Sequence, residues 1–247
     1  MQQQTNVMSA TPSRTTKLML LALIILIGAF FRFYLLTTLP PGDEYDPAYY
    51  GLDALRILSG EHPLYFATNY GREAMFSYLV AAAFTFVGAG PLGIHLASAL
   101  VSMLTLPALF LAADEFFKRD KETLLSQFGG LLATLVLALS FWHLAWSRYS
   151  VRAILIPLFI SLLCFFLLKA LRTQQRRYFA LTGLVMGISL YTYQLAQVFP
   201  ILVGFGFVYD LISRRSLSKK DGRNLLLTYG AAFCVALPLI FYAVGNP

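Results

Sequence analysis

AMFSYLVAAAFTFVGAG, residues 74–90, carries no charge, and whether it crosses a membrane decides the layout of everything after it. As a helix it would reach about 25 Å, short of the ~30 Å hydrocarbon core that roughly 20 apolar residues span. The surroundings make a membrane the right frame. The chain is 58% hydrophobic and 13% charged, with a mean hydropathy of +0.67. A soluble domain carries about a quarter charged residues, so this is an integral membrane protein.

Windows long and apolar enough to span, or close to it, are 18–37, 91–113, 124–146, 153–171, 178–193, 195–212 and 224–244. The charges between them settle how 74–90 is read. If it does not cross, fourteen Lys and Arg lie inside (Arg14, Lys17, Lys118, Arg119, Lys121, Lys169, Arg172, Arg176, Arg177, Arg214, Arg215, Lys219, Lys220, Arg223). Five then lie outside: Arg32, Arg56, Arg72, Arg148 and Arg152. If it crosses, the three most basic loops face outward. Cytoplasmic loops carry the excess of Lys and Arg, so 74–90 is expected to lie along the outer surface or to dip in and return. Gly88, Gly90 and Pro91 supply the break for such a reversal. The net charge of +7 is therefore loop charge rather than a nucleic-acid footprint.

The expected fold is all-α, a polytopic transmembrane helical bundle of seven spans. Residues 1–17 form a cytoplasmic tail whose Arg14 and Lys17 precede an uncleaved signal anchor. The transmembrane domain covers 18–247, with an external loop, 38–90, holding juxtamembrane helices. In that loop Asp46-Pro47 reads as an N-cap and first helical residue, and Gly60 as the stop. Tyr49, Leu52, Leu55 and Leu58 recur at helical spacing, with Asp53 and Arg56 on other faces, an interfacial amphipathic helix. Tyr45, Tyr49, Tyr50, Tyr65 and Tyr70 fit an aromatic belt.

The same loop holds every outward acid: Asp43, Glu44, Asp46, Asp53, Glu61 and Glu73. Asp43-Glu44 follow a Pro-Gly turn, where one carboxylate in a low-dielectric setting could act as a general base. A solvated interfacial loop is the competing reading. Arg148 and Arg152, four apart, would share a helix face and suit a phosphate at the bilayer surface. Headgroup snorkelling explains them as readily. Tyr191, Tyr193 and Gln197 could line a sugar site or anchor the interface. His95 reads as a neutral histidine satisfied by a neighbour. His62 and His143 are lone, and no HExxH spacing occurs. Cys164 and Cys234 lie inside spans, which argues against a disulfide or thiolate metal site. No Walker, GxGxxG or GxSxG motif is present.

The order of these features resembles the GT-C superfamily of membrane glycosyltransferases, in its protein O-mannosyltransferase and aminoarabinose-transferase branch. PPGDEYDPAYYGLDALRILSG (40–60) looks like the family's first-loop acidic pair and juxtamembrane helix, and YGREAMFSYL (70–79) like its second. HLASALVSMLTLPALFLAADEFF (95–117), SRYSVRAILIPL (147–158) and GLVMGISLYTYQLAQVFPIL (183–202) resemble later spans and the second outer loop. The resemblance implies Asp43 as catalytic carboxylate with Glu44 beside it, and Arg72, Arg148, Arg152, Tyr191, Tyr193 and Gln197 as substrate-binding candidates. It implies a polyprenyl-phosphate sugar donor, a lipid, glycan or protein acceptor, and transfer on the outer face of a bacterial plasma membrane. No nucleotide is needed; a divalent metal is left open, with Glu73 as its candidate ligand. This chain departs from the pattern at Ala74 (Pro in the family), His95 (Arg), Arg152 (often Asp) and Gln197 (Arg). Family members run about twice this length, so the stop at Pro247 reads as truncation. The alternatives are a transporter or flippase of lipid-linked sugars, and a truncated homologue without catalysis.

The charge count sets a test. In the full-length protein in intact cells, an impermeant thiol reagent should label Glu61→Cys and leave Lys121→Cys unlabelled. The reverse pattern would overturn the orientation.

Overall fold

The computed structural model describes residues 13–39, 45–67, 71–118, 123–215 and 218–245. In chain order the helices are α1 (Arg14–Phe33), α2 (Tyr45–Leu58), α3 (Met75–Val87), α4 (Pro91–Phe117), α5 (Leu124–Leu139), α6 (Phe141–Tyr149), α7 (Leu155–Thr173), α8 (Arg176–Ser189), α9 (Phe199–Arg214) and α10 (Lys219–Gly245). A small antiparallel hairpin, β1 (Tyr65–Phe66) and β2 (Arg72–Glu73), separates α2 from α3. The chain is an all-α polytopic bundle with this one hairpin.

Local chemistry sets the boundaries. Ser13 and Thr123 cap α1 and α5, their hydroxyls accepting from Thr16 N–H (3.0 Å) and Ser126 N–H (3.2 Å). Pro91 opens α4, where its missing N–H costs nothing. Gly88, at φ 84°, closes α3 in a conformation that disfavours a Cβ. Ser140 turns extended and bends α5 from α6 by 53°.

Among the described residues, five helical stretches are long and apolar enough to cross a membrane, or six if the bent α5–α6 pair is one span. The expected seven differ at 178–193, where α8 is only 14 residues long. It starts shortly after α7 ends at Thr173, and the turn after it brings the Tyr193 ring over Arg152, just before α7 begins. The stretch 74–90 forms the 13-residue α3, about 20 Å long, shorter than a full span.

Ion pairs gather at one end of the bundle. Asp114 faces Lys17 (3.6 Å) and Lys118 (3.2 Å), and Glu115 faces Lys118 (3.0 Å) and Arg172. Asn224 of α10 meets Gln174 after α7 (3.4 Å). The opposite end holds α2, the hairpin and the start of α7. Between them, the fully buried Arg32 of α1 donates to Ser102 of α4, to the carbonyls of Gly28 (3.0 Å) and Ala138 (3.1 Å), and to His143 Nδ1 (2.8 Å).

The tightest helix contact, α8 against α10, rests on Gly183 and Gly187, a small-xxx-small pair that lets backbones approach. A Cβ on Gly183 would sit 2.1 Å from Thr228 O, and one on Gly187 2.7 Å from Val235 Cβ. Gly183→Leu should therefore destabilise the protein by about 1–3 kcal/mol, lowering the thermal midpoint by roughly 2–4 °C for each. Gly230→Ala, with nothing within 4 Å of the new methyl, should be tolerated. Tryptophan fluorescence on heating in detergent measures both; equal midpoints would refute the packing account.

Candidate functional site

The site is built on α2 and the hairpin. α2 begins at Tyr45, so Asp46 lies in its first turn rather than capping it, where its carboxylate still favours the helix N-terminus. Gly60, at φ 104°, follows the last turn as expected. Leu52, Leu55 and Leu58 are exposed, while Tyr50, Asp53 and Ala54 are buried, Asp53 at only 3%. Tyr50 leaves the expected aromatic belt and packs edge-on to Phe76, with centroids 5.0 Å apart. Tyr45 and Tyr49 stay at the surface, their hydroxyls 2.9 Å apart. Tyr70 lies outside the described residues.

The hairpin register pairs Tyr65 with Glu73 and Phe66 with Arg72. Gly71 makes it fit: at φ 81°, a Cβ there would lie 1.8 Å from the Tyr65 hydroxyl. Arg72 is thereby directed at Asp53, a buried ion pair of 2.6 Å, with its guanidinium 4.9 Å from the Tyr49 ring centroid and 5.8 Å from that of Tyr50. Neighbouring Glu73 pairs with Arg152 at 2.9 Å, and Arg152 also lies 3.4 Å from Gly71 O and 5.2 Å from the Tyr193 ring. Two arginines, two carboxylates and three tyrosines thus form one cluster.

Burial pushes the Asp53 carboxyl above the usual range, against the pull of Arg72. Burial also pushes the Tyr50 phenol up to about 12, with Arg152 and Arg72 opposing. Tyr50 is therefore a neutral hydroxyl near pH 7, able to hydrogen-bond but not to serve as a phenolate base.

Arg148 and Arg152 do not share a helix face. Ser150, at φ 57°, ends α6 in a left-handed turn, and its hydroxyl meets His95 Nδ1 at 2.8 Å, the neighbour expected for that histidine. Past that turn, Arg152 starts a 3₁₀ turn, Arg152–Ile154, and turns to Glu73. Arg148 instead donates to the carbonyls of Phe31 (2.9 Å), Arg32 (3.3 Å), Tyr34 (2.9 Å), Leu35 (2.8 Å) and Leu39 (2.9 Å). These are carbonyls at and beyond the end of α1, where helical donors run out; Leu35 O also accepts from Thr38 N–H and Leu39 N–H, both at 3.1 Å. The expected arginine pair is replaced by one arginine in the cluster and one closing α1.

Tyr193 belongs to the cluster through Arg152. Tyr191 borders it: its carbonyl accepts from Met75 N–H (3.3 Å), and its hydroxyl donates to Val235 O (2.8 Å). Gln197 lies exposed on a 3₁₀ turn, Gln194–Val198. Asp43 and Glu44 lie outside the described residues. Among the described residues no three His, Cys, Asp or Glu side chains are grouped to hold a metal, and Glu73, the candidate ligand, is engaged by Arg152. Asp53 is the participant that sequence reasoning placed elsewhere. Its signal was the acid itself, carried on a helix whose leucines occupy a different face.

No curated protein matches the chain. The family model for dolichyl-phosphate-mannose-protein mannosyltransferase matches residues 72–242, more than two thirds of the chain. The match opens on Arg72 and takes in Glu73, Arg152 and Tyr193, so most of the cluster lies within it. On this match, the chain belongs to the dolichyl-phosphate-mannose-protein mannosyltransferase family of GT-C-type membrane glycosyltransferases.

Proposed function

We propose that this membrane glycosyltransferase moves a sugar from a polyprenyl-phosphate-linked donor to a lipid, glycan or protein acceptor on the outer membrane face. The observation that carries this reading is the cluster itself. Arg152 and Arg72 each face a carboxylate beside tyrosine rings, and Arg72 belongs to the same loop as Asp43 and Glu44. The outer-face assignment is supported by the basic segments at the other end, which the positive-inside bias assigns to the cytoplasm.

In this reading the acceptor hydroxyl attacks the anomeric carbon while Asp43, with Glu44 beside it, takes the hydroxyl proton. The bond from that carbon to the phosphate oxygen breaks, and its electrons leave with the lipid phosphate. The sugar is inverted at that carbon. Negative charge grows on the departing phosphate, which positioned guanidinium groups stabilise. Arg152, with Arg72, takes this role, and Arg148, whose donors are occupied by carbonyls, does not. In this reading Tyr193, Tyr191 and Gln197 contact the sugar. A divalent metal has its place here only if Glu73 exchanges Arg152 for the ion.

Two measurements on full-length protein test this. Asp43→Asn should lower the transfer rate by about 10²–10⁴ while insertion and thermal stability stay normal; near-normal transfer would assign the acid to a solvated loop. For the donor, Arg152→Lys keeps the charge but loses the forked donor geometry, and should weaken binding of a polyprenyl-phosphate sugar analogue. Arg152→Gln should weaken it more. Arg148→Gln should lower thermal stability and leave donor affinity near wild type. Equal donor affinity in all the arginine variants would remove the phosphate from this cluster.

A further inference from the structure

The helices α9 and α10, consecutive in the chain, do not close against each other. They touch where Tyr229 Oη donates to Pro200 O (2.7 Å), and again where Arg214 meets Asp221 (2.9 Å). Between these points lies a groove of about 1010 Å³. Its walls are apolar, with Phe207, Val208 and Leu211 on one side and Leu225 and Leu226 on the other. Gly204 and Gly222 contribute no side chains, which keeps it wide.

The mouth is charged. Residues 210–223 hold five cations (Arg214, Arg215, Lys219, Lys220, Arg223) against two acids, Asp210 and Asp221. Arg214 is held by both acids, so its charge is matched. Lys219, exposed on the groove's rim, pairs with no carboxylate among the described residues. An apolar groove under a rim with excess positive charge fits a lipid whose headgroup is an anion.

We infer that the α9–α10 groove is a binding site for an anionic phospholipid, with its phosphate at Lys219 and an acyl chain along Phe207, Leu211 and Leu225. This site is distinct from that of the sugar donor. Its mouth lies at the Arg214 end of α9, a 16-residue helix about 24 Å long, and Arg152 lies toward the other end. The Tyr229–Pro200 contact closes the groove on the side facing the tyrosine–arginine cluster. The occupant would fasten α9, which is held to the remaining helices mainly through Phe199 and Val203 in the core shared with α7, α8 and α10.

The test uses full-length protein in phosphatidylcholine vesicles containing a trace of phosphatidylglycerol with a photoreactive diazirine on one acyl chain. After illumination, labelled peptides are mapped by mass spectrometry. The expected result is adducts concentrated in 204–211 and 222–229, displaced by excess unlabelled phosphatidylglycerol and not by extra phosphatidylcholine. Lys219→Gln should reduce this labelling about fivefold, the effect of removing one cation near an anionic headgroup. Leu225→Trp should reduce it by filling the groove. Equal displacement by both lipids, or adducts spread evenly over the exposed helix faces, would mean a passing lipid belt and overturn the site. Absence of adducts from both segments would mean that another helix or a second copy seals the groove, and would also overturn it.

Discussion

A guanidinium with no exposed surface, on the first spanning helix, is the constraint on which the front half of the bundle depends. Arg32 stays protonated at any working pH, and a charge removed from water costs several kcal/mol unless its donors are met. Here they are met by groups from three other helices: Ser102 of α4, the Ala138 carbonyl of α5 and His143 of α6, besides its own Gly28 carbonyl. Each partner is available for a structural reason. Ala138 lies in the last turn of α5, whose carbonyls lack helical donors, because Ser140 breaks the helix just after it. Gly28 permits the close approach, since a Cβ there would be 2.7 Å from Leu106 of α4. His143 can accept at Nδ1 only as the neutral tautomer, because arginine has no lone pair to offer. The bend between α5 and α6 and the burial of Arg32 are therefore one arrangement.

The same logic governs the next turn of chain. After α1 the backbone bends through Leu35, at φ 49°, a conformation that costs a non-glycine residue roughly 1–2 kcal/mol. Arg148 grips the carbonyl of Leu35 along with four others, so one fork of donors holds the strained turn and closes the helix end. From the sequence, Arg148 and Arg152 look alike, two outward arginines four apart. What separates them is the left-handed Ser150, a backbone detail with no signature in a serine codeword, locked by a histidine 55 residues away in the chain.

Much of the rest was legible. Hydropathy located the long spans, and the charge count set 74–90 apart from them. The proline and glycines around it mark real boundaries. What periodicity could not give is which face of α2 packs on the protein. In water the apolar stripe of a helix turns inward. At a membrane surface lipid competes for it, so Leu52, Leu55 and Leu58 face out and the polar face, with Asp53, meets Arg72. The break at Ser140 was missed for a related reason: a hydrophobic window continues through it, and the residue that makes the break useful, Arg32, lies about a hundred positions earlier.

Apart from Arg56, which pairs with Glu61 at the surface, the arginines near the loop end can be sorted by what they face, and the sorting bears on chemistry. Arg32 and Arg148 are met by carbonyls, hydroxyl and imidazole, neutral groups that are fixed parts of helices. An anion arriving at either would have to pull it from partners that hold the bundle together. Arg72 and Arg152 are met by carboxylates, one of them raised in its affinity for protons by burial. A phosphodiester carries the same single negative charge as a carboxylate and can take its place at a guanidinium. The Asp53 and Glu73 side chains therefore do more than neutralise the cluster at rest. They orient two arginines, Arg72 buried and Arg152 half-buried, at the place where tyrosine rings from α2 and from the turn after α8 converge.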